Sequence, residues 1–106
     1  MEVTFESLGL SEAMRKALEQ KGYGYPTTIQ AEAIPHFMQW RDVIAKAPTG
    51  TGKTFAFGIP MIEHIDPQSD CVQGLILAPT RELAIQIGDE LRGLLTYFQG
   101  IRVAVL

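Results

Sequence analysis

Four residues near the middle of the chain combine the groups that bind a polyphosphate. Gly50, Gly52, Lys53 and Thr54 lie together in the 106-residue sequence. Glycine has no Cβ, so a glycine-rich turn brings backbone N–H groups close to phosphate oxygens. Lys53 adds a mobile cation, and the Thr54 hydroxyl is suited to ligate Mg²⁺. The segment 47–54 therefore predicts a site for a nucleoside triphosphate.

The elements predicted on either side of this segment supply the context that a phosphate-binding turn needs. A short strand is predicted over residues 42–46, and a helix from about Lys53 to His64. The helix would present its unpaired N–H groups and the positive end of its dipole to the phosphates. The segment begins with Ala47, where the general P-loop pattern has glycine.

Two helices are predicted before the turn. Ser11 is a suitable N-cap for a helix that runs to about Lys21, because serine side chains accept hydrogen bonds from the first turn. Thr27 or Thr28 opens a second helix, which Pro35 interrupts or which ends where Pro35 starts a new turn. The apolar face of the first helix comprises Leu10, Met14 and Leu18.

The residue pattern in the second half of the chain predicts two further strands, one before and one after a long helix. Residues 74–78 form a continuous apolar run typical of a buried strand, and residues 102–106 resemble the start of another. Thr80 caps a helix that ends near Phe98. Its apolar face comprises Leu83, Ile87, Leu91, Leu94 or Leu95, and Phe98. Alternating strands and helices predict an α/β fold with a parallel sheet and flanking helices, after a helical N-terminal arm.

Composition is compatible with one globular domain. Apolar residues make up 46% of the chain and charged residues 20%, and the net charge is −3 at pH 7. An acidic balance argues against binding nucleic acid through overall charge, so any such contact would be local. Cys71 is the only cysteine, which excludes an internal disulfide and fits a reducing compartment. With no signal peptide or membrane-spanning run in the sequence, a cytoplasmic location is expected.

Three segments together resemble the characteristic motifs of one enzyme family. Residues 47–54 match the helicase form of the phosphate loop, A-x-x-G-x-G-K-T, in which alanine is normal at the first position. Residues 22–30 resemble the Q motif, with Phe5 as its upstream aromatic and Thr28 where proline is more frequent. Residues 79–84 resemble motif Ia. The chain is thus similar to the N-terminal part of the first RecA-like domain of DEAD-box RNA helicases.

This resemblance implies that residues 1–106 form an incomplete RecA-like domain that binds ATP and Mg²⁺. Lys53 and Thr54 take the catalytic positions, with the Thr54 hydroxyl on the metal. Gln30 reads adenine through its carboxamide, which carries a donor and an acceptor side by side. The implied nucleotide contacts are Phe5, Tyr25, Gln30, Ala47, Pro48, Thr49, Gly50, Thr51, Gly52, Lys53 and Thr54.

The resemblance also implies an RNA contact at Pro79, Thr80 and Arg81. A helix N-terminus with an arginine can bind a phosphate, and contacts to the sugar-phosphate backbone carry no base sequence. The residues alone leave another role open for Arg81, which is pairing with Glu82 or Asp70.

Several residues have a structural interpretation beside the functional one. Taken without its neighbours, Gln30 would be a solvated helix residue. Phe5 fits a core position as well as a position near the base, and Tyr23 favours core packing. The two histidines, His36 and His64, have no metal-ligand spacing. Three glutamates are expected on solvated helix faces: Glu12, Glu19 and Glu63.

The sequence contains no Asp-Glu-Ala-Asp tetrad, which in DEAD-box helicases holds Mg²⁺ and orients the attacking water. The chain is therefore expected to be a piece of a longer helicase and, by itself, inactive in ATP hydrolysis and unwinding. Unpaired strand edges would favour self-association. The alternatives are a piece of another P-loop NTPase, or a stand-alone nucleotide-binding or RNA-binding module.

Overall fold

The computed structural model describes residues 4–39, 52–69 and 71–106. A 3-10 turn (Glu6–Leu8) leads into four α-helices over these described ranges. The helices are α1 (Glu12–Gln20), α2 (Thr28–Met38), α3 (Lys53–Glu63) and α4 (Arg81–Gly93). The strand predicted over 42–46 and the turn residues 47–51 lie outside the described residues. None of the described helices is long and apolar enough to cross a membrane.

Side-chain caps start three of the helices where the sequence predicted them. The hydroxyls of Ser11, Thr27 and Thr80 accept a hydrogen bond from the backbone N–H three residues later, in α1, α2 and α4 respectively. Each cap satisfies one of the N–H groups that a helix leaves unpaired at its start, and is typically worth about 1 kcal/mol. These starts follow from interactions within four residues of sequence.

One apolar cluster joins all four helices. The predicted face of α1 is confirmed, because Leu10, Met14 and Leu18 are buried in it. The most extensive helix pair is α2 with α3. The buried members of the cluster are Phe5, Leu10, Met14, Leu18, Ile34, Phe55, Ile59, Ile62, Leu91 and Leu94.

Pro35 neither interrupts α2 nor starts a new turn, so that prediction is wrong. It lies inside the helix, which continues to Met38. Proline removes one backbone hydrogen bond and crowds the carbonyl four residues earlier. The helix extends only one turn beyond it, and Ile34 and Met38 pack that turn against the cluster. Burial of these side chains offsets the lost hydrogen bond.

The C-terminal end of α4 also differs from the prediction. The helix ends at Gly93 instead of near Phe98. The following N–H groups of Leu94, Leu95 and Phe98 bond to the carbonyl three residues earlier, which is a tighter turn than the α-helix. The Thr96 hydroxyl donates to the Gly93 carbonyl at 3.2 Å. Leu91 and Leu94 are buried as predicted, and Ile87 and Phe98 pack against the cluster. Leu83, which was predicted on the same face, is exposed, so the predicted face is confirmed only beyond the first turn.

The predicted parallel sheet is absent from the described residues, where neither 74–78 nor 102–106 forms a strand. Each segment packs a side chain against the helical cluster, Ile76 in the first and Val103 in the second. Their burial alternates along the chain: Leu75 and Leu77 are 74% and 87% exposed, and Ile76 between them packs against the core. Alternation of this kind is typical of a strand, but a strand also needs backbone hydrogen bonds to a neighbour. The described residues supply none for these two segments.

An apolar groove of about 370 Å³ lies between α3, residues 75–78 and α4. Its walls are hydrocarbon and aromatic side chains, and the outer edge is open. The lining residues are Phe57, Met61, Leu75, Ile76, Leu77, Ala78, Leu83 and Ile87.

The exposed segment 74–78 is expected to make the chain self-associate, since it offers apolar side chains beside backbone groups that have no partner among the described residues. Replacing Leu77 with lysine puts a charge on that edge and should lower the associated fraction in light scattering at equal concentration. Ile85→Lys is the control, because Ile85 is a partly exposed apolar residue of α4 outside the groove. Monomeric wild-type chain, or equal effects of both variants, would contradict this expectation.

Candidate functional site

The N-terminus of α3 is the one helix start, among the described residues, without a side-chain cap. Its N-cap is Gly52, which has no side chain, and its first turn contains no acidic residue. Gly52 adopts a left-handed backbone conformation, with φ of 83°. Glycine adopts this conformation without the steric cost that a Cβ brings. Among the described residues, no side chain caps the first N–H groups of α3, and the helix dipole favours an anion at this end.

Lys53 and Thr54 are the first two residues of α3. Lys53 is exposed and Thr54 is half-buried, so the ammonium group reaches solvent while the hydroxyl stays near the helix start. The other predicted phosphate-loop residues, Ala47 to Thr51, lie outside the described residues. The part that is described has the two side chains and the free N–H groups at one end of one helix.

Gln30 is buried, with 3% of its surface exposed. It is therefore not the solvated helix residue that its type alone would suggest. Its Oε1 atom accepts a hydrogen bond from the Thr27 N–H at 2.9 Å, and its own N–H donates to the Thr27 hydroxyl at 3.4 Å. This reciprocal pair is a capping box, which fixes the side chain at the start of α2.

The same carboxamide reaches the start of α3. The Gln30 Nε2 atom donates to the Gly52 carbonyl at 3.2 Å. That carbonyl also accepts the first backbone bond of α3, from the Ala56 N–H at 3.2 Å. A Cβ at position 52 would collide with Gln30 Nε2 and would lie 3.3 Å from the Thr27 hydroxyl. The starts of α2 and α3 thus fit together only with glycine at position 52.

The Gln30 carboxamide has capacity left for a ligand. Its oxygen has two lone pairs and its nitrogen has two hydrogens, and the bonds to Thr27 and Gly52 use one of each. The remaining hydrogen and lone pair form the donor and acceptor pair that matches the edge of adenine. Among the described residues, no other group uses this remaining donor and acceptor.

The three aromatic residues around this point differ in accessibility. Phe5 is 5% exposed and belongs to the apolar cluster, while Tyr25 is 62% exposed in the segment before α2. Tyr23 is 46% exposed, but its ring meets Phe55 of α3 edge-on, with the ring centroids 5.1 Å apart. Tyr23 thus packs on one side only. Tyr25 is the aromatic with most surface available to a ligand.

The second predicted site lies at the start of α4. Pro79, Thr80 and Arg81 are all exposed there, and the Thr80 hydroxyl accepts from the Leu83 N–H at 3.1 Å. Arg81 forms no ion pair with Glu82 or with any other described residue. Asp70, the other acid considered for it, lies outside the described residues. The guanidinium at this helix start is therefore placed to contact an anion from solvent.

One contact has no signal in the sequence. Glu63 was expected on a solvated helix face, and instead its carboxylate accepts two hydrogen bonds from Ser11. The two residues are 52 positions apart, so no local pattern indicates the pairing. Among the described residues no group of three His, Cys, Asp or Glu side chains could hold a metal ion.

Known proteins that are similar to this chain belong to one family. A family model described as DEAD/DEAH box helicase matches residues 27–106. The chain is 52% identical over 88 residues to the DEAD-box ATP-dependent RNA helicase CshA of Bacillus cereus, a match that covers 83% of this chain and 17% of the relative. The chain thus spans about a sixth of the length of that curated relative.

Solved structures agree with this likeness. A DEAD box protein from Methanococcus jannaschii has 42% identity and a TM-score of 0.82, over 86% of this chain and 25% of that one. Dbp5 of S. cerevisiae, in a structure bound to RNA and ADP BeF3, has 32% identity and a TM-score of 0.87. That match covers 91% of this chain and 25% of Dbp5. The described helices therefore have the arrangement found in part of a DEAD-box RecA-like domain.

Replacing Gly52 with alanine should displace Gln30 and destabilise the chain. The left-handed backbone conformation disfavours alanine by about 1–2 kcal/mol, and the new Cβ breaks the contact of a buried carboxamide, at about 1–3 kcal/mol more. Gly22→Ala is a matched control, because Gly22 has φ of 85° and no atom lies within 4 Å of the place its new methyl group would take. Urea unfolding should therefore show a larger loss for Gly52→Ala, and equal losses would contradict the Gln30 contact.

Proposed function

The chain belongs to the DEAD/DEAH box helicase family, and we propose that it forms the ATP-binding part and some of the RNA-binding surface of an ATP-dependent RNA helicase. The observation that carries this proposal is the hydrogen bond from Gln30 to the Gly52 carbonyl at 3.2 Å. It brings a group suited to read adenine next to the helix start suited to bind phosphate.

The phosphate groups bind at the uncapped start of α3. Its free N–H groups and the positive end of its dipole face the phosphate oxygens, and Lys53 supplies a full positive charge. The Thr54 hydroxyl is a hard oxygen ligand of the kind that Mg²⁺ accepts beside phosphate oxygens and water. When bound, Mg²⁺ neutralises charge on the phosphates. The residues present thus fit a magnesium nucleotide.

The base binds at the start of α2. The free hydrogen of Gln30 Nε2 points to N7 of adenine, and the free lone pair of Oε1 accepts from the N6 amino group. Guanine carries a carbonyl oxygen where adenine has this amino group. That oxygen would face Gln30 Oε1, and two acceptors cannot form a hydrogen bond with each other. Tyr25 offers an exposed ring beside this point, and Phe5 supports α2 from within the core.

RNA binds at the start of α4. The exposed guanidinium of Arg81, with the neighbouring Pro79 and Thr80, contacts a backbone phosphate. Contacts of this type carry no base sequence, which suits an enzyme that acts on many RNAs. The likeness to Dbp5, whose structure holds RNA and ADP BeF3, supports both ligands.

Hydrolysis and strand separation belong to the longer helicase in this proposal. The present sequence has Lys53 and Thr54 for binding, and no Asp-Glu-Ala-Asp tetrad to orient the attacking water. The chain itself therefore binds ATP without turnover at a helicase rate. Its contribution to catalysis is to hold the nucleotide and part of the RNA in fixed positions.

Two substitutions should separate the phosphate and base ends of the nucleotide site. Lys53→Ala should weaken ATP and GTP alike, by about tenfold or more, because it removes the charge on the phosphates. Gln30→Glu keeps the acceptor for Thr27 but removes the donor both to the Gly52 carbonyl and to the base, so it should weaken ATP by about tenfold or more. The readout specific to the base is the ratio of the ATP and GTP affinities, which should lose its preference for ATP. Fluorescence titration with labelled ATP and GTP measures both effects.

Gln99→Glu is the control for the base end, because Gln99 is exposed and the substitution adds the same charge. It should leave both affinities unchanged. ATP affinity that survives Lys53→Ala would refute the phosphate site. A Gln30→Glu variant that still prefers ATP would refute the adenine contact alone.

Arg81→Ala should weaken binding of single-stranded RNA equally for poly(U) and poly(A), because the contact is to phosphate. The slope of log affinity against log salt should fall by about 1, as expected for one lost phosphate contact. Arg102→Ala is the control, since Arg102 is an exposed arginine away from a helix start. Fluorescence anisotropy at several salt concentrations measures this, and an unchanged slope would contradict the assignment.

A further inference from the structure

Glu63, the last residue of α3, binds the start of α1. Its two carboxylate oxygens accept hydrogen bonds from the Ser11 N–H at 2.6 Å and from the Ser11 hydroxyl at 2.7 Å. Hydrogen bonds to an ionised group are roughly twice as strong as neutral ones. The contact therefore fixes where the N-terminal arm meets α3.

The Glu63 carboxylate interacts unfavourably with the dipole of its own helix, α3, and favourably with the dipole of α1. At the end of its own helix a carboxylate meets the negative end of the dipole, which is unfavourable. At the start of α1 the same carboxylate meets the positive end. The Ser11 hydroxyl meanwhile accepts from the Met14 N–H at 3.3 Å, so it caps α1 while it donates to Glu63. Glu63 and Ser11 together cap α1.

The other end of α1 contacts the first turn of α3. The N–H of Tyr23, just after α1, donates to the Leu18 carbonyl at 3.0 Å. The Tyr23 ring then meets Phe55 edge-on, with the planes at 90°. Phe55 directly follows Thr54 in α3. The α1 helix thus runs from the last residue of α3 back to its first turn and is held at both ends.

The Tyr23 end of α1 leads directly to the base end of the nucleotide site. Residues 24–26 alone separate Tyr23 from Thr27, the N-cap of α2. Thr27 closes the capping box with Gln30, which in turn contacts Gly52. A shift of α1 would therefore be transmitted through this short segment to the Gln30 carboxamide.

We propose that Glu63 is a positioning residue for adenine recognition, acting through α1, Thr27 and Gln30. The inference rests on the proposed nucleotide site. An isolated helix of nine residues is marginal in water, so α1 depends on its buried side chains and its end contacts. Without the Glu63 contact, the Gln30 carboxamide keeps its bonds to Thr27 and Gly52 but loses the support of a fixed α1 behind Thr27, whereas Lys53 and the first N–H groups of α3 belong to α3 itself. Glu63 thus affects the base end and spares the phosphate end.

The test compares ATP with inorganic tripolyphosphate, which lacks the base. Glu63→Gln keeps the side-chain size but removes the charge and one acceptor. It should raise the Kd for ATP by about three- to tenfold and leave that for tripolyphosphate unchanged. Glu19→Gln is the matched control, because Glu19 is exposed on α1 and its side chain has no described partner. Calorimetric titration below the unfolding temperature of every variant gives both constants.

Variants of Ser11, the partner of Glu63, test the same hydrogen bonds. Ser11→Thr keeps the hydroxyl and should bind ATP as the wild type does, whereas Ser11→Ala should show the selective loss of Glu63→Gln. Equal losses for ATP and tripolyphosphate, or no loss for either, would overturn the proposal. Lys53→Ala tests the nucleotide site separately: if it leaves both probes unaffected, the site itself is refuted and the role of Glu63 with it.

Discussion

The hydrogen bond between the Gln30 carboxamide and the Gly52 carbonyl joins the starts of α2 and α3, which are 22 residues apart in sequence. A buried carboxamide is costly unless its polar atoms have partners, and Thr27 and Gly52 supply them. Glycine at position 52 is required twice, for its left-handed conformation and because a side chain would strike Gln30. This contact fixes the relative position of the starts of the two helices that pack most extensively against each other.

The distribution of caps explains where the chain can bind anions. Ser11, Thr27 and Thr80 use their own hydroxyls to satisfy N–H groups of α1, α2 and α4. The start of α3 follows a glycine and has no such cap among the described residues, which is why we propose it as the phosphate site. At α4 the cap is present, and the binding capacity comes from the exposed guanidinium of Arg81. The first proposed site thus depends on backbone N–H groups and the second on a charged side chain.

Around these sites, the helices supply a rigid support and the extended segments do not. The α1 helix is held to both ends of α3, by Glu63 at one end and by Tyr23 against Phe55 at the other. Residues 74–78 and 102–106 pack side chains such as Ile76 and Val103 on the helices. Among the described residues their backbones form no hydrogen bond to another backbone, and the Val103 carbonyl accepts one from the Arg92 side chain at 3.0 Å. Among the described residues, the tertiary contacts are therefore mainly helix packing and helix-end contacts, with side chains of the two segments added to the cluster.

The sequence by itself determined what depends on near neighbours. The caps at Ser11, Thr27 and Thr80 were predicted because each acts within four residues, and the motifs identified the family because their spacing is local. Tertiary structure alone decided that Gln30 is buried and bonded to the start of α3, that Glu63 binds the start of α1, and that the predicted strands form no ladder in the described residues. Each of these depends on segments far apart in sequence, and on whether a partner is present at hydrogen-bonding distance.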